Sequence, residues 1–210
     1  MENNISIQTL QRLPIYLSLL KNKAKNRTEN ISAKMIADEL GLGEIQVRKD
    51  LASVSKGGKP KIGYIITDLI TDIEYALGYD DVNDAILVGA GNLGKALMSY
   101  KGFNDYGLNI IAAFDTNPTL FGNNNNGKPI FAVDKIKDIC ERLKIRIGII
   151  TVPAEYAQSV CDTLVDSGII AIWNFAPTHL RAPDNIFIKS ENMAASLAVL
   201  SNHLKEKLIF

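Results

Sequence analysis

The chain has 210 residues, 47% of them hydrophobic, enough for a buried core in one large domain or two small ones. No run approaches the roughly 18 apolar residues that a membrane span needs, and Met1 to Leu10 carries no charged-then-apolar leader, so the expected location is the cytoplasm. The formal net charge of +0 hides an asymmetry, since residues 1–64 hold 11 Lys/Arg against 6 Asp/Glu; a basic first module suggests a polyanionic partner, although a solvated basic face would look the same.

From Leu10 to Leu20 apolar residues recur at helical spacing, with Pro14 either starting or kinking the helix, and the basic stretch Lys21 to Asn30 then breaks the pattern. Ser32 is placed to cap a helix over 33–40 and is expected among the DNA-contacting residues, and Gly41-Leu42-Gly43 makes a tight turn into a second helix beginning at Glu44. Two short helices joined by a glycine-bearing turn form a helix-turn-helix, whose second helix commonly enters the DNA major groove. Along that helix Ile45, Val47 and Leu51 are available to pack, while Gln46, Arg48 and Lys49 project toward base edges and phosphates. Residues 55–64 are too rich in Gly and Pro for a helix and read as a hairpin wing, with Lys56, Lys59 and Lys61 set to meet the DNA backbone. A small helical protein-interaction domain is the bland alternative. A helix over 67–77, ended by Gly78, and the stretch 80–84 lead to the second module.

Ala85 to Val88 is a short apolar run typical of a buried parallel strand, followed at once by Gly89-Ala90-Gly91-Asn92-Leu93-Gly94 and a helix from Lys95 to Tyr100. This is GxGxxG in its proper setting: Gly89 for the turn, Gly91 for approach of a pyrophosphate, Gly94 for close packing of helix on strand. The helix N-terminus offers unpaired N–H groups to the anion. A second strand, 108–114, ends in Asp115, 21 residues after Gly94, the usual distance to the acid that holds an adenosine ribose. A carboxylate there accepts ribose hydroxyls and repels a 2′-phosphate, so NAD(H) is expected over NADP(H). Gly122 to Gly127, with four consecutive Asn, reads as a mobile surface loop. A helix over 133–143, a strand over 145–150, a helix over 154–167 and a strand over 169–173 complete a doubly wound parallel sheet. Thr151-Val152-Pro153 and Asn174-Phe175 lie at carboxyl ends of strands, where ligands bind in such sheets, though either segment could be a plain turn. Met193, Leu197, Leu200, Leu204 and Leu208 give a final helix one apolar stripe that must cover its own sheet or a partner.

Three function classes compete. A hydride-transfer enzyme needs an acid or base beside its substrate; His203 lies on the final helix, which leaves His179 as the candidate, better placed for a loop role. A coenzyme A-binding module shares the sheet pattern, but the 3′-phosphate of coenzyme A would meet Asp115. Cys140 and Cys161 have no CxxC spacing and no clustered histidine, which points to buried thiols and to no metal site.

The segments Arg12 to Tyr16, Gln46 to Leu51, Gly63-Tyr64, Gly89 to Gly94, Phe114-Asp115, Thr151 to Pro153 and Asn174 to Pro177 together resemble the Rex family of bacterial redox-sensing repressors. The likeness runs along almost the whole chain. It implies an α/β protein with an N-terminal winged helix-turn-helix domain (1–79), a Rossmann NAD(H)-binding domain (80–190) and a C-terminal dimerisation helix (191–210) swapped between subunits. It further implies a non-enzymatic homodimer that binds double-stranded palindromic operator DNA in the NAD⁺ or free state and is released by NADH. Two departures stand out. The wing has Lys59-Pro60-Lys61 where the family usually has glycines around an Arg, and Asn192 stands where Asp is frequent.

Overall fold

Helix α1 (Ile7–Lys25) opens the computed structural model, which describes residues 5–79, 83–123 and 127–208. Ser6 caps α1, its Oγ accepting from Thr9 N at 3.1 Å. The helix runs a turn further than the apolar pattern, because Lys and Ala are good helix formers and the extra lysines find partners: Lys21 pairs with Glu74 at 2.7 Å and Lys23 with Glu39. Pro14 is accommodated inside it. Chain contacts divide the molecule into two units, Met1–Asp81 and Val82–Phe210.

In the first unit α2 (Ala33–Leu40) and α3 (Glu44–Val54) form the helix-turn-helix, and α4 (Ile66–Leu77) packs on α1. Ser32 caps α2 as expected, accepting from Met35 N at 3.2 Å, and Gly41 (φ +64°) ends it in the left-handed conformation. Gly78 does the same for α4. Strands β1 (Asn30–Ile31) and β2 (Tyr64–Ile65) pair antiparallel below the wing, which closes through a single Lys59–Gly63 bridge. Leu13, Tyr16, Leu20, Ile36, Val47, Leu51, Leu69 and Ile73 make the core.

Ile45 corrects the expectation that it packs: it stands 72% exposed. Residues two apart on a helix lie on different faces, so Ile45 cannot share the inner face with Val47. The inner position falls instead to Asp50, a buried acid. Its carboxylate accepts from Arg12 Nε and Nη2 (both 2.7 Å), Tyr16 Oη (2.8 Å) and Thr9 Oγ1 (2.9 Å). Burial pushes the carboxyl up, but the hydrogen bonds from Arg12, Tyr16 and Thr9 and the guanidinium charge outweigh it and hold it below the ordinary carboxylate range. Burial, then the bond to Asp50, pushes the Tyr16 hydroxyl up to about 12. This network pins α3 to α1. Asp50→Asn is expected to cost about 3 kcal/mol, since it strands a guanidinium whose partner is buried. The folded pKa of Asp50 lies below its unfolded value, so the stabilisation is complete above about pH 4 and fades as pH falls through the lower folded value. Denaturation curves of both proteins should therefore differ at pH 7 and converge on acidification.

The second unit is a seven-stranded sheet: β3 (Asn83–Val88), β4 (Leu108–Asp115), β5 (Gly122–Asn123), β6 (Pro129–Ala132), β7 (Ile147–Ile150), β8 (Ala171–Asn174) and β9 (Phe187–Ser190). The order is β5-β6-β4-β3-β7-β8-β9, parallel except for β5. Side chains of β3 alternate between two cores. Ile86 and Val88 face α6 (Ile136–Leu143) and α7 (Ala154–Asp166), while Ala85 and Leu87 share a cluster with Met98 of α5 (Asn92–Ser99). Both faces are covered, which is why the strands read as continuous apolar runs. Asn83 and Asp84 belong to β3 rather than to a spacer, and Gly122-Asn123 pair with β6 rather than standing in a loop. Asn124 to Asn126 of the expected mobile loop, and residues 80–82 of the expected spacer, lie outside the described residues. Cys140 and Cys161 are buried free thiols, and burial pushes Cys140 up to about 11. Helix α8 (Met193–Leu208) closes the chain, its first turn held by Asn192 Oδ1 accepting from Ala195 N at 2.9 Å. The amide at 192 thus serves as a helix cap.

Candidate nucleotide and nucleic-acid sites

The strand order reverses at β3, between β4 and β7, and the crevice at that switch point is where an open sheet binds ligands. A cleft of about 820 Å³ opens there, lined by Gly89 and Gly91, by Asp115, and by Thr151, Val152 and Pro153. Gly89 adopts φ +103°, and a Cβ on it would lie 2.9 Å from the Thr151 carbonyl. On Gly94 a Cβ would fall 2.0 Å from Gly89 O, so α5 packs on the loop only as glycine allows. At Gly91, by contrast, a Cβ would meet no atom within 4 Å, so the backbone there borders open space on the cleft wall. No side chain caps α5, which leaves its first amides without a capping acceptor.

Asp115 ties the pieces together. Its Oδ2 accepts from Ala90 N at 2.7 Å and its Oδ1 from Asn117 N at 2.8 Å. Each oxygen keeps a lone pair for a further donor. Thr151 Oγ1 donates to Gly89 O at 2.8 Å and lies 3.1 Å from Val88 O, locking the glycine turn to the end of β7. Of the residues expected at this site, Gly89, Gly91, Asp115 and Thr151 to Pro153 line the cleft; Ala90, Asn92, Leu93 and Gly94 belong to the loop and helix that shape it. The Asn174 side chain is not brought into it. It is fully buried, donating to Ala176 O, Thr178 O and Ser190 Oγ and accepting from Ala176 N. Phe175 packs on Trp173 with ring centroids 4.8 Å apart. Tyr156, Ser159, Val160 and Thr163 of α7 extend the cleft wall, residues that the sequence marked only as helix.

On the first unit, Gln46, Arg48 and Lys49 are all exposed on α3, and Lys56, Lys59 and Lys61 are exposed along the wing. Ser32 Oγ is engaged as the α2 cap. Arg48 pairs with Glu44 one turn back, and the Gln46 amide, turned with its oxygen toward Arg12, accepts from the guanidinium at 2.9 Å. The same guanidinium therefore holds both Gln46 and Asp50, one helical turn apart on α3.

Fold and site together define a class: a winged helix-turn-helix unit joined to a Rossmann unit with an acid-bearing dinucleotide cleft. Residues 4–52 match the family model "Putative DNA-binding protein N-terminus", and residues 80–178 match the model "CoA binding domain". The chain is 40% identical to the redox-sensing transcriptional repressor Rex of Bacteroides thetaiotaomicron, over 93% of this chain and 89% of that one. It is also 40% identical to Rex of Treponema denticola, over 95% of each. Among solved structures, that of RSP in complex with beta-NAD+ and operator DNA superposes with TM-score 0.92 at 35% identity, covering 98% of this chain and 95% of the other. The RSP complex with beta-NADH gives 0.87 at 34%, covering 99% and 97%. The chain belongs to the Rex family of redox-sensing transcriptional repressors.

Proposed function

We propose that this chain is a homodimeric repressor that holds palindromic operator DNA through α3 and the wing and lets it go when NADH fills the cleft above Gly89 to Gly94. The observation that carries the nucleotide half is Asp115, which takes the amide of Ala90 and still has capacity to accept ribose hydroxyls. The Gly91 opening and the uncapped start of α5 supply the pyrophosphate site. Thr151, Val152 and Pro153 form the opposite lip, while Asn174 supports the neighbouring loop from below. Relatives described in complex with NAD+, NADH and operator DNA support the same assignment. The role is regulatory rather than catalytic: His179 is exposed on the loop after β8 and is not among the cleft-lining residues.

The dimer reading rests on α8. Every side chain described from Asn192 to Lys207 is exposed, including Met193 (65%), Leu197 (63%), Leu200 (68%) and Leu204 (58%). An apolar stripe left uncovered by its own chain calls for a second copy. Residues 191–210 then act as the dimerisation helix, and 1–79 and 80–190 as the DNA and NAD(H) modules.

The match of residues 80–178 to the CoA-binding model favours a second reading of the cleft, as a coenzyme A site. Asp115 weighs against it, because coenzyme A bears a phosphate on the adenosine ribose. Calorimetry with NADH, NADPH and coenzyme A separates the two. NADH is expected to bind more tightly than either phosphorylated ligand by about 1–2 kcal/mol, roughly 5- to 30-fold, and Asp115→Ala to narrow the gap. Equal affinities in the unsubstituted protein would sink the NAD(H) assignment.

A further inference from the structure

We propose that Ile45 is a specificity-determining residue of the operator complex, reading the C5-methyl group of one thymine in each half-site. The inference rests on the DNA-binding reading above and deepens it. Ile45 is the second residue of α3 and stands 72% exposed, whereas Val47, Asp50 and Leu51 turn inward. Single exposed apolar side chains are common on protein surfaces, so exposure alone decides nothing. The company of Ile45 does. At helical spacing it shares one face with Arg48 and Lys49, three and four residues on, and with Ala52 a turn beyond, all exposed. That face carries two cations flanking small and branched apolar groups.

The DNA major groove presents the complementary pattern. Phosphates line its edges, and on its floor the one apolar group that distinguishes the base pairs is the thymine methyl. A recognition helix places its N-terminal residues nearest the base edges, and Ile45 lies in that first turn. Its immediate neighbour Gln46 is held by Arg12, and Arg48 and Lys49 bring charge, so among the outward-facing residues of this turn Ile45 is the apolar group available to a base edge. A branched aliphatic side chain has no hydrogen-bonding use in a groove. Its use is to cover a methyl group and shed water from both.

Replacing thymine by uracil deletes that methyl and leaves every hydrogen-bonding atom in place, which makes the test direct. The full chain first enriches an operator from a library of random palindromic duplexes; then each thymine is exchanged for uracil symmetrically in both half-sites. At one position the exchange is expected to weaken binding by about fourfold per half-site, or roughly 15-fold in the dimer, the loss of one buried methyl group in each. In Ile45→Ala the same exchange should change affinity less than about twofold, while Ile45→Val keeps most of the penalty. Ala is a better helix former than Ile and the site is exposed, so NADH affinity should be unchanged, which serves as the folding control. A set of uracil penalties identical in the unsubstituted chain and in Ile45→Ala would overturn the inference while leaving DNA binding intact. Failure of the unsubstituted chain to enrich any duplex would overturn it together with the DNA-binding reading.

Discussion

Arg48→Ala combined with Lys49→Ala is expected to weaken operator binding by roughly a thousandfold or more while leaving NADH affinity unchanged. Each side chain reaching a base edge or phosphate is worth about 1–3 kcal/mol, and a dimer on a palindrome counts each substitution twice. The ion pair of Arg48 with Glu44 does not protect the free protein against this loss, because an exposed pair one turn apart contributes only about 0.3–0.5 kcal/mol. Arg48 therefore leaves Glu44 for DNA at little cost. Neither residue touches the core of its unit, where Val47, Leu51 and the Asp50 network fix α3, so thermal stability should be retained. Fluorescence anisotropy on labelled operator at one stated salt concentration measures the loss, and NADH titration of the same sample supplies the control. Retained operator affinity would mean that the first unit is not the DNA reader.

The second large effect belongs to α8. Removing residues 192–210 is expected to leave a folded monomer, since neither core of the second unit contains a described residue of that segment. Loss of the dimer turns the second half-site contact from an intramolecular into a separate binding event, a penalty of about 10²- to 10⁴-fold in operator affinity. Sedimentation would report the mass, and the triple variant Leu197→Glu, Leu200→Glu, Leu204→Glu tests the same stripe with the chain at full length. A truncated chain that still sediments as a dimer would place the subunit contact elsewhere.

Much of this architecture is legible in the residues themselves because its signals are local. The Ser32 cap, the Gly41 and Gly78 helix ends and the glycine loop each depend on a backbone conformation that few residue types supply, and each occurs where its sequence motif falls. Asp115 is legible from spacing alone, and the structure adds what spacing cannot, that its carboxylate reaches back to the Ala90 amide. Features set by distant partners stay hidden. Asp50 sits in a charged run that looks solvated, and only the fold brings Arg12, Tyr16 and Thr9 onto it. Strands β6 and β9 are four residues long and only partly buried, too short to show a period against the polar stretches beside them. Lys21 to Lys25 look like a break because lysines carry no apolar pattern, yet two of them gain ion pairs across the unit. Ile45 looks like a core residue on its chemistry, whereas its angular position on α3 decides the matter.

In the proposed repressor the two binding sites are coupled. With NADH in the cleft of the second unit and operator on α3 of the first, as proposed, the ligand is expected to act by favouring a dimer arrangement in which the two α3 helices no longer match major-groove segments about 34 Å apart. Linkage makes the effect reciprocal: operator must lower NADH affinity by the same factor. The chain has a single tryptophan, Trp173, and NADH absorbs where tryptophan emits, so a loss of its emission is the expected optical readout of NADH binding alongside operator anisotropy. Titrating operator at saturating NADH, and NADH at saturating operator, should shift both dissociation constants by one common factor of about 5–150. Superimposable operator curves with and without NADH would mean that the two sites are not coupled, even with both ligands bound.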